Sequence, residues 1–234
     1  MASPEGTVHE GEAELKVYTS LDYLYRSFFQ KSFLKNSARD NARVCSILSA
    51  VVLVTNPLSM SAITMLMGFH HNQVQHALDS IQSLVIVPED PDCPIQPFHK
   101  SFSDFITDPT RCRDARFHIS PNYHTRLVLQ CLKLLSRSLK ENMCSIPDYV
   151  LNSDVDDLPK RVKESGIHGA LEYACRSWYK HLIVTNHQTE NVISALCDFL
   201  EGGFILWLEV LSVLGTVGDA VHALFTTTKW LNEV

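Results

Sequence analysis

RVCSILSAVVLVTNPLSMSAITMLMGFHHNQVQHALDSIQSLVIVPEDPDCPIQPFHKSFSDFIT, residues 43–107, is the stretch whose reading decides the fold. Val44, Ile47, Leu48, Val51 and Val52 fall at helical spacing on one face, and Asn56-Pro57 ends that helix. Ser59 is placed to cap a short helix through Leu66, with Gly68 where a left-handed residue closes a helix. Val74, Ala77, Leu78 and Ile81 predict a third helix. The residue types then change. Leu84–Val87 is β-branched and too short for a helix, PEDPDCP (88–94) is turn sequence, and Ile95–Phe98 returns as a second strand. Ser101 with Asp104 forms a capping-box pattern for a helix carrying Phe102, Phe105 and Ile106. Three helices, a two-stranded wing and a further helix make a winged-helix arrangement, and the two phenylalanines are expected to pack onto the helix of Ile47 and Val51.

Upstream, residues 1–19 contain MASPEGTVHEGEAEL, which is acidic and Gly-containing and reads as a disordered leader. Leu21, Leu24, Phe28, Phe29 and Phe33 predict a helix over 20–34, followed by a polar connector, so that 20–41 is a helical linker and 42–110 the winged-helix domain. Downstream, 111–234 is expected to be wholly helical, as a bundle or a stack of helix pairs. Val128, Cys131, Leu132, Leu135 and Leu139 oppose Arg126, Gln130, Lys133, Arg137 and Lys140. In the same way Ile167, Ala170, Leu171, Ala174, Trp178 and Leu182 oppose His168, Glu172, Arg176 and Lys180. The intervening 145–165 predicts a surface connection with a short helix near Leu158–Lys163, and Gly202-Gly203 and Gly215 divide the remainder into helices at 189–201, 204–213 and 217–232. Trp178, Tyr179, Trp207 and Trp230 are expected in the core. The fold class is therefore mainly α with a small β wing.

Composition narrows the function. The 234 residues are 45% hydrophobic and 20% charged, which fits a globular chain. Val44–Val54 and Phe204–Leu214 are the longest apolar stretches and fall well short of the roughly 20 residues of a membrane span. The first 14 residues hold four Glu and no Lys or Arg, unlike a secretory signal, so a cytoplasmic protein without membrane contact is expected. Seven cysteines without a CxxC read as free buried thiols. His70, His71 and His76, or Cys112, His118 and His124, match no closed zinc spacing, and no metal is expected.

No GxSxG, HExxH, GxGxxG or GxxxxGK[ST] occurs, and no Gly precedes a Lys, so an enzyme of those classes, and an autonomous P-loop NTPase in particular, is not expected. The Asp154, Asp156 and Asp157 cluster and Glu89, Asp90 and Asp92 read as solvated loop charge. A winged helix raises DNA binding, but Val44 to His99 contains no Lys or Arg and the net charge is −6, so nucleic acid is not the expected partner.

Several motifs together resemble one family. RVCSILSAVVLVTNPLS (43–59), LVIVPEDPDCPI (84–95) and FHKSFSDFITDPTRC (98–112), followed by LQCLKL (129–134), DYVLNSDVDDLP (148–159), YACRSWYKHL (173–182) and GFILWLEVLSVLG (203–215), are similar to the region after the nucleotide-binding core in NACHT-type STAND NTPases of basidiomycete fungi, which are NLR-like proteins. The resemblance covers about residues 21–234. It implies a non-catalytic regulatory region for signal transduction, acting through protein contacts with a NACHT-containing chain, with ADP or ATP present only where such a core is. It also implies that His99, in the HisLysSerPhe motif, contacts the ADP phosphate; read from its position alone, His99 caps the helix or fills a gap at the hairpin-to-helix junction. The alternative is part of a working NTPase whose P-loop domain is supplied in trans or lies outside this sequence; a DNA-binding winged helix ranks third.

Overall fold

The structure is a computed structural model that describes residues 7–33, 36–167, 169–185 and 190–232, with side chains from Ser20 onward. Among these residues it is mainly helical, with eleven α-helices and one two-stranded sheet.

Helix α1 spans Thr7–Phe33. It begins inside the stretch 1–19 that composition predicts to be a disordered leader, and residues 1–6 of that leader lie outside the described residues. Glu10, Glu12, Ala13, Glu14, Leu15 and Lys16 are all strong helix formers, which a reading based on charge alone overlooks. Helix α2, Ala38–Val52, starts earlier than its apolar stripe suggests because Ser37 caps it, its hydroxyl accepting from the Asp40 N–H at 3.1 Å.

Helix α3, Met60–Met67, is bounded as its sequence dictates. The Ser59 hydroxyl accepts from the Ala62 N–H, and Gly68 closes the helix at φ 67°. After α4, His71–Asp79, come β1, Val85–Ile86, and β2, Gln96–Pro97, antiparallel with Val85 opposite Pro97 and Ile86 opposite Gln96. The segment before α3 joins this ribbon: Ser59 bridges Pro94, and the Ile95 N–H donates to the Leu58 carbonyl at 2.8 Å.

Helix α5 is Lys100–Thr107. Its cap is His99, two residues before the expected Ser101, which instead lies inside the first turn and gives its own N–H to the His99 ring. The Ser101 to Asp104 capping box therefore does not form. Phe102 and Phe105 also meet the rings of α1: Tyr25 sits 5.4 Å from each, and Phe29 stacks on Phe102 and on Phe117. The rings they meet belong to α1, which closes over the wing-following helix, and the Asp22 carboxylate locks it there through a two-pronged contact with Arg111 at 2.7 and 3.1 Å.

The rest of the chain is α6, Asn122–Ser138, a 3₁₀ turn at Asn152–Asp154, α7, Leu158–Glu164, α8, Ala170–Leu182, α9, Glu190–Gly202, α10, Phe204–Val213, and α11, Gly218–Asn232. His168, expected on the polar face of α8, lies outside the described residues. Helix α8 is the hub, packed against α3, α6, α10 and α11. Trp178 and Trp207 are fully buried and edge-on to each other and to Phe199 of α9, and the Trp207 indole N–H donates to the Cys175 carbonyl at 2.8 Å. One apolar core is continuous from Phe29 to Trp230 and runs across the expected boundary between 110 and 111.

Candidate functional site

His99 is held at the junction of β2 and α5 in extended conformation, φ −146° and ψ 141°. Its Nδ1 accepts from the Ser101 N–H at 3.1 Å and lies 2.8 Å from the Ser101 hydroxyl, which is itself 2.8 Å from the Tyr25 hydroxyl. Because Nδ1 accepts a backbone N–H, the neutral ring carries its proton on Nε2. The residue is exposed, and Lys100 beside it is exposed as well. His99 is thus a helix cap whose second nitrogen is a donor at the surface. Ser101 is buried and no carboxylate hydrogen bonds to His99 among the described residues, so this Ser–His contact is not an activated nucleophile.

A separate cleft of about 360 Å³ opens where the α2–α3 connection, the turn between β1 and β2, and α8 meet, with Asn56, Asp92, Glu172, Arg176, Ser177 and Lys180 among its walls. Arg176 is already engaged there, with Asp219 at 3.0 Å and Glu172 at 3.4 Å. The two acids and two bases of the wall balance in charge, so the cleft has no strong preference for an anion or a cation. Gly169, at the mouth, has φ 54° and ψ −116°, a conformation that L side chains avoid, and a Cβ there would stand 3.4 Å from the Ala62 Cβ.

Behind the cleft wall runs a chain of polar groups that the sequence reading did not single out. The Tyr173 hydroxyl is 2.6 Å from His181 Nε2, and His181 Nδ1 is 2.8 Å from His124 Nδ1. Thr55 and Ser177 also reach the Tyr173 hydroxyl. In the proton order that satisfies every member, Tyr173 donates to His181 Nε2 and His181 Nδ1–H donates to His124. Burial pushes His181 down to about 3, with His124 and Lys180 adding to the effect, and burial also lowers His124. Burial raises Tyr173. All three groups are therefore neutral at pH 7, and the chain is a buried hydrogen-bonded tie between α6 and α8. The signal was available in the spacing, since His181 follows Ala174 and Trp178 at i+7 and i+3 and so falls on the buried stripe of α8.

The three residues considered together as zinc ligands are not brought together. Cys112 is buried, His118 Nε2 meets the Thr107 carbonyl, and His124 meets His181. Among the described residues no group of three or more His, Cys, Asp or Glu could hold a metal ion. Burial pushes the thiols of Cys45, Cys112 and Cys175 up to about 12, so none is a thiolate at neutral pH. Among the described residues no helix is long and apolar enough to cross a membrane. No family model, curated protein or solved structure matches this chain.

Proposed function

We propose that this chain is a non-catalytic regulatory region of an NLR-like STAND protein of the cytoplasm, in which a winged-helix unit formed by α2 to α5 contacts a NACHT nucleotide-binding core. The observation that carries the reading is His99, which caps α5 through Nδ1 and keeps an Nε2–H at the surface, where a phosphate oxygen of ADP is a suitable acceptor. The order α2, α3, α4, β1, β2 with the Leu58–Ser59 bridge supports the winged-helix assignment. The acidic wing and the absence of Lys and Arg from 44–99 favour a protein surface over a duplex.

A lone imidazole does not hold a nucleotide tightly, so the isolated chain should show no ADP binding in calorimetry and no ATP hydrolysis. In a complex with a co-purified NACHT-containing chain, His99→Ala should speed ADP release roughly tenfold to a hundredfold, the worth of one charge-assisted hydrogen bond of about 1.5–3 kcal/mol. His99→Asp keeps an acceptor for the helix cap and offers no donor, so it should release ADP at least as fast as His99→Ala while melting like the wild type. Low-micromolar ADP binding by the isolated chain, or unchanged release in both variants, would overturn the reading.

A further inference from the structure

The cleft between the β1–β2 turn and α8 is separate from His99, and its charges are arranged so as to select a ligand. Arg176 is spent within the protein, on Asp219 and Glu172. Two charges on the wall stay uncommitted. Asp92, exposed in the turn, and Lys180, half-buried on α8, have no partner of opposite charge at ion-pair distance among the described residues. The Lys180 ammonium lies instead over the Tyr179 ring, 5.7 Å from its centre.

The floor adds a direction. Ser177, a wall residue only 3% exposed, has its hydroxyl 3.2 Å from that of Thr55. Tyr173 gives its single proton to His181, so Thr55 and Ser177 turn theirs inward, to the Tyr173 oxygen or to each other. Ser177 is left with a lone pair and no proton for a ligand, and so acts as an acceptor. Lys180 follows it by three residues on the same helix, where side chains stand about 5–6 Å apart at Cβ.

We propose that this cleft binds a small zwitterion, with a primary ammonium and a carboxylate a few ångströms apart, which is the chemistry of a free α-amino acid or a dipeptide. The ammonium of the ligand donates to the Ser177 oxygen and faces the Asp92 carboxylate, and its carboxylate meets the Lys180 ammonium. A simple anion leaves Asp92 opposed and a simple cation leaves Lys180 opposed, whereas separated charges of both signs answer both. The volume of about 360 Å³ lies at the small end of ligand pockets, roughly 300–1,000 Å³.

The test is titration of the isotope-labelled full chain with glycine and with diglycine, followed by backbone N–H shifts around the cleft, against N-acetyl-diglycine and diglycine amide. At least one free-ended probe should saturate with a dissociation constant on the order of 0.1–1 mM, and the tighter of the two identifies the source of the zwitterion. Blocking either end should weaken binding roughly tenfold, the worth of one hydrogen bond to a charged group. Asp92→Asn should shrink the penalty for N-acetylation to roughly threefold or less and keep that for amidation, and Lys180→Gln should do the reverse. Neither side chain belongs to the core, so both variants should melt like the wild type. No saturation by either free-ended probe at about 20 mM, blocked forms that bind as well as the free one, or variants that leave both penalties intact would each overturn the proposal.

Discussion

Acidification from pH 7.5 to 5.0 should destabilise this protein through the His124–His181–Tyr173 chain well before its carboxylates titrate. The His181 ring is 1% exposed, and burial lowers it from 6.5 to about 3. A histidine lowered in the folded state is protonated first in the unfolded state. Its contribution to stability is therefore complete above pH 6.5, erodes as the pH falls below that value, and is exhausted near pH 3. Each pH unit inside that window costs about 1.4 kcal/mol per group, so at pH 5.0 His181 alone should remove about 2 kcal/mol, and His124, shifted the same way, adds to it. Asp114, held low by Arg116, and Asp157, held low by Arg161, lose their contributions only as the pH falls below about 4, which leaves pH 6.5 to 5.0 to the histidines. Urea melts at half-unit intervals give the slope directly. His181→Gln, which keeps a donor and an acceptor but does not titrate, should start about 1–3 kcal/mol less stable at pH 7.5 and then lose stability more slowly than the wild type. Parallel curves for the two proteins from pH 6.5 to 5.0 would refute the reasoning.

Trp178→Ala should cost about 3–5 kcal/mol in denaturant melts, because the ring is fully buried among Phe199, Trp207 and Tyr179, whereas Lys180→Ala, whose side chain lies on the cleft wall, should cost less than about 0.5 kcal/mol; equal losses would mean the faces of α8 are misassigned. Asp22→Ala removes the two-pronged contact that ties α1 to Arg111 and should lower stability by about 1.5–3 kcal/mol, while Asp40→Ala, removing a half-buried pair with Arg43 and a side-chain contact to Ser37, should stay within about 1 kcal/mol, both read by thermal unfolding. Duplex DNA should not be retained in a gel shift at about 50 mM salt, where binding through phosphates is strongest; micromolar binding with a steep salt dependence would contradict the charge reading of the wing.

Local rules carried the elements whose ends are set by their own residues. Ser59 and Gly68 bound α3, the two glycines at 202 and 203 and Gly215 separate α9, α10 and α11, and the stripes of α6 and α8 bury the side they predict. Two expectations failed for local reasons, the helix formers of 7–19 outweighing its acidic composition and a competing acceptor taking the Ser101 N–H. The capping box at Ser101 lost to His99, whose ring reaches the same N–H from an extended residue two positions earlier. Phe102 and Phe105 also meet Tyr25 and Phe29 of α1, rings some 75 positions away, which no periodicity within α5 can show. Of the site, the phosphate role of His99 rests on resemblance, whereas its capping role was legible from its place between hairpin and helix; the His181 chain was half legible, since its place on the buried stripe follows from spacing while its partners His124 and Tyr173 do not.

The turn between β1 and β2 is already ordered within the chain. It is tied down at several points: the Pro91 carbonyl accepts from both the N–H and the hydroxyl of Ser61, the Asp90 carboxylate accepts from the Asp92 N–H, and Ile95 is anchored on Leu58. A loop fastened to the first turn of a helix has already lost the freedom that a free arm would surrender on meeting a partner. A surface that met residues 88–95 would meet a preformed relief, so little ordering entropy would be spent on such an encounter, and discrimination would rest on shape more than on adaptation.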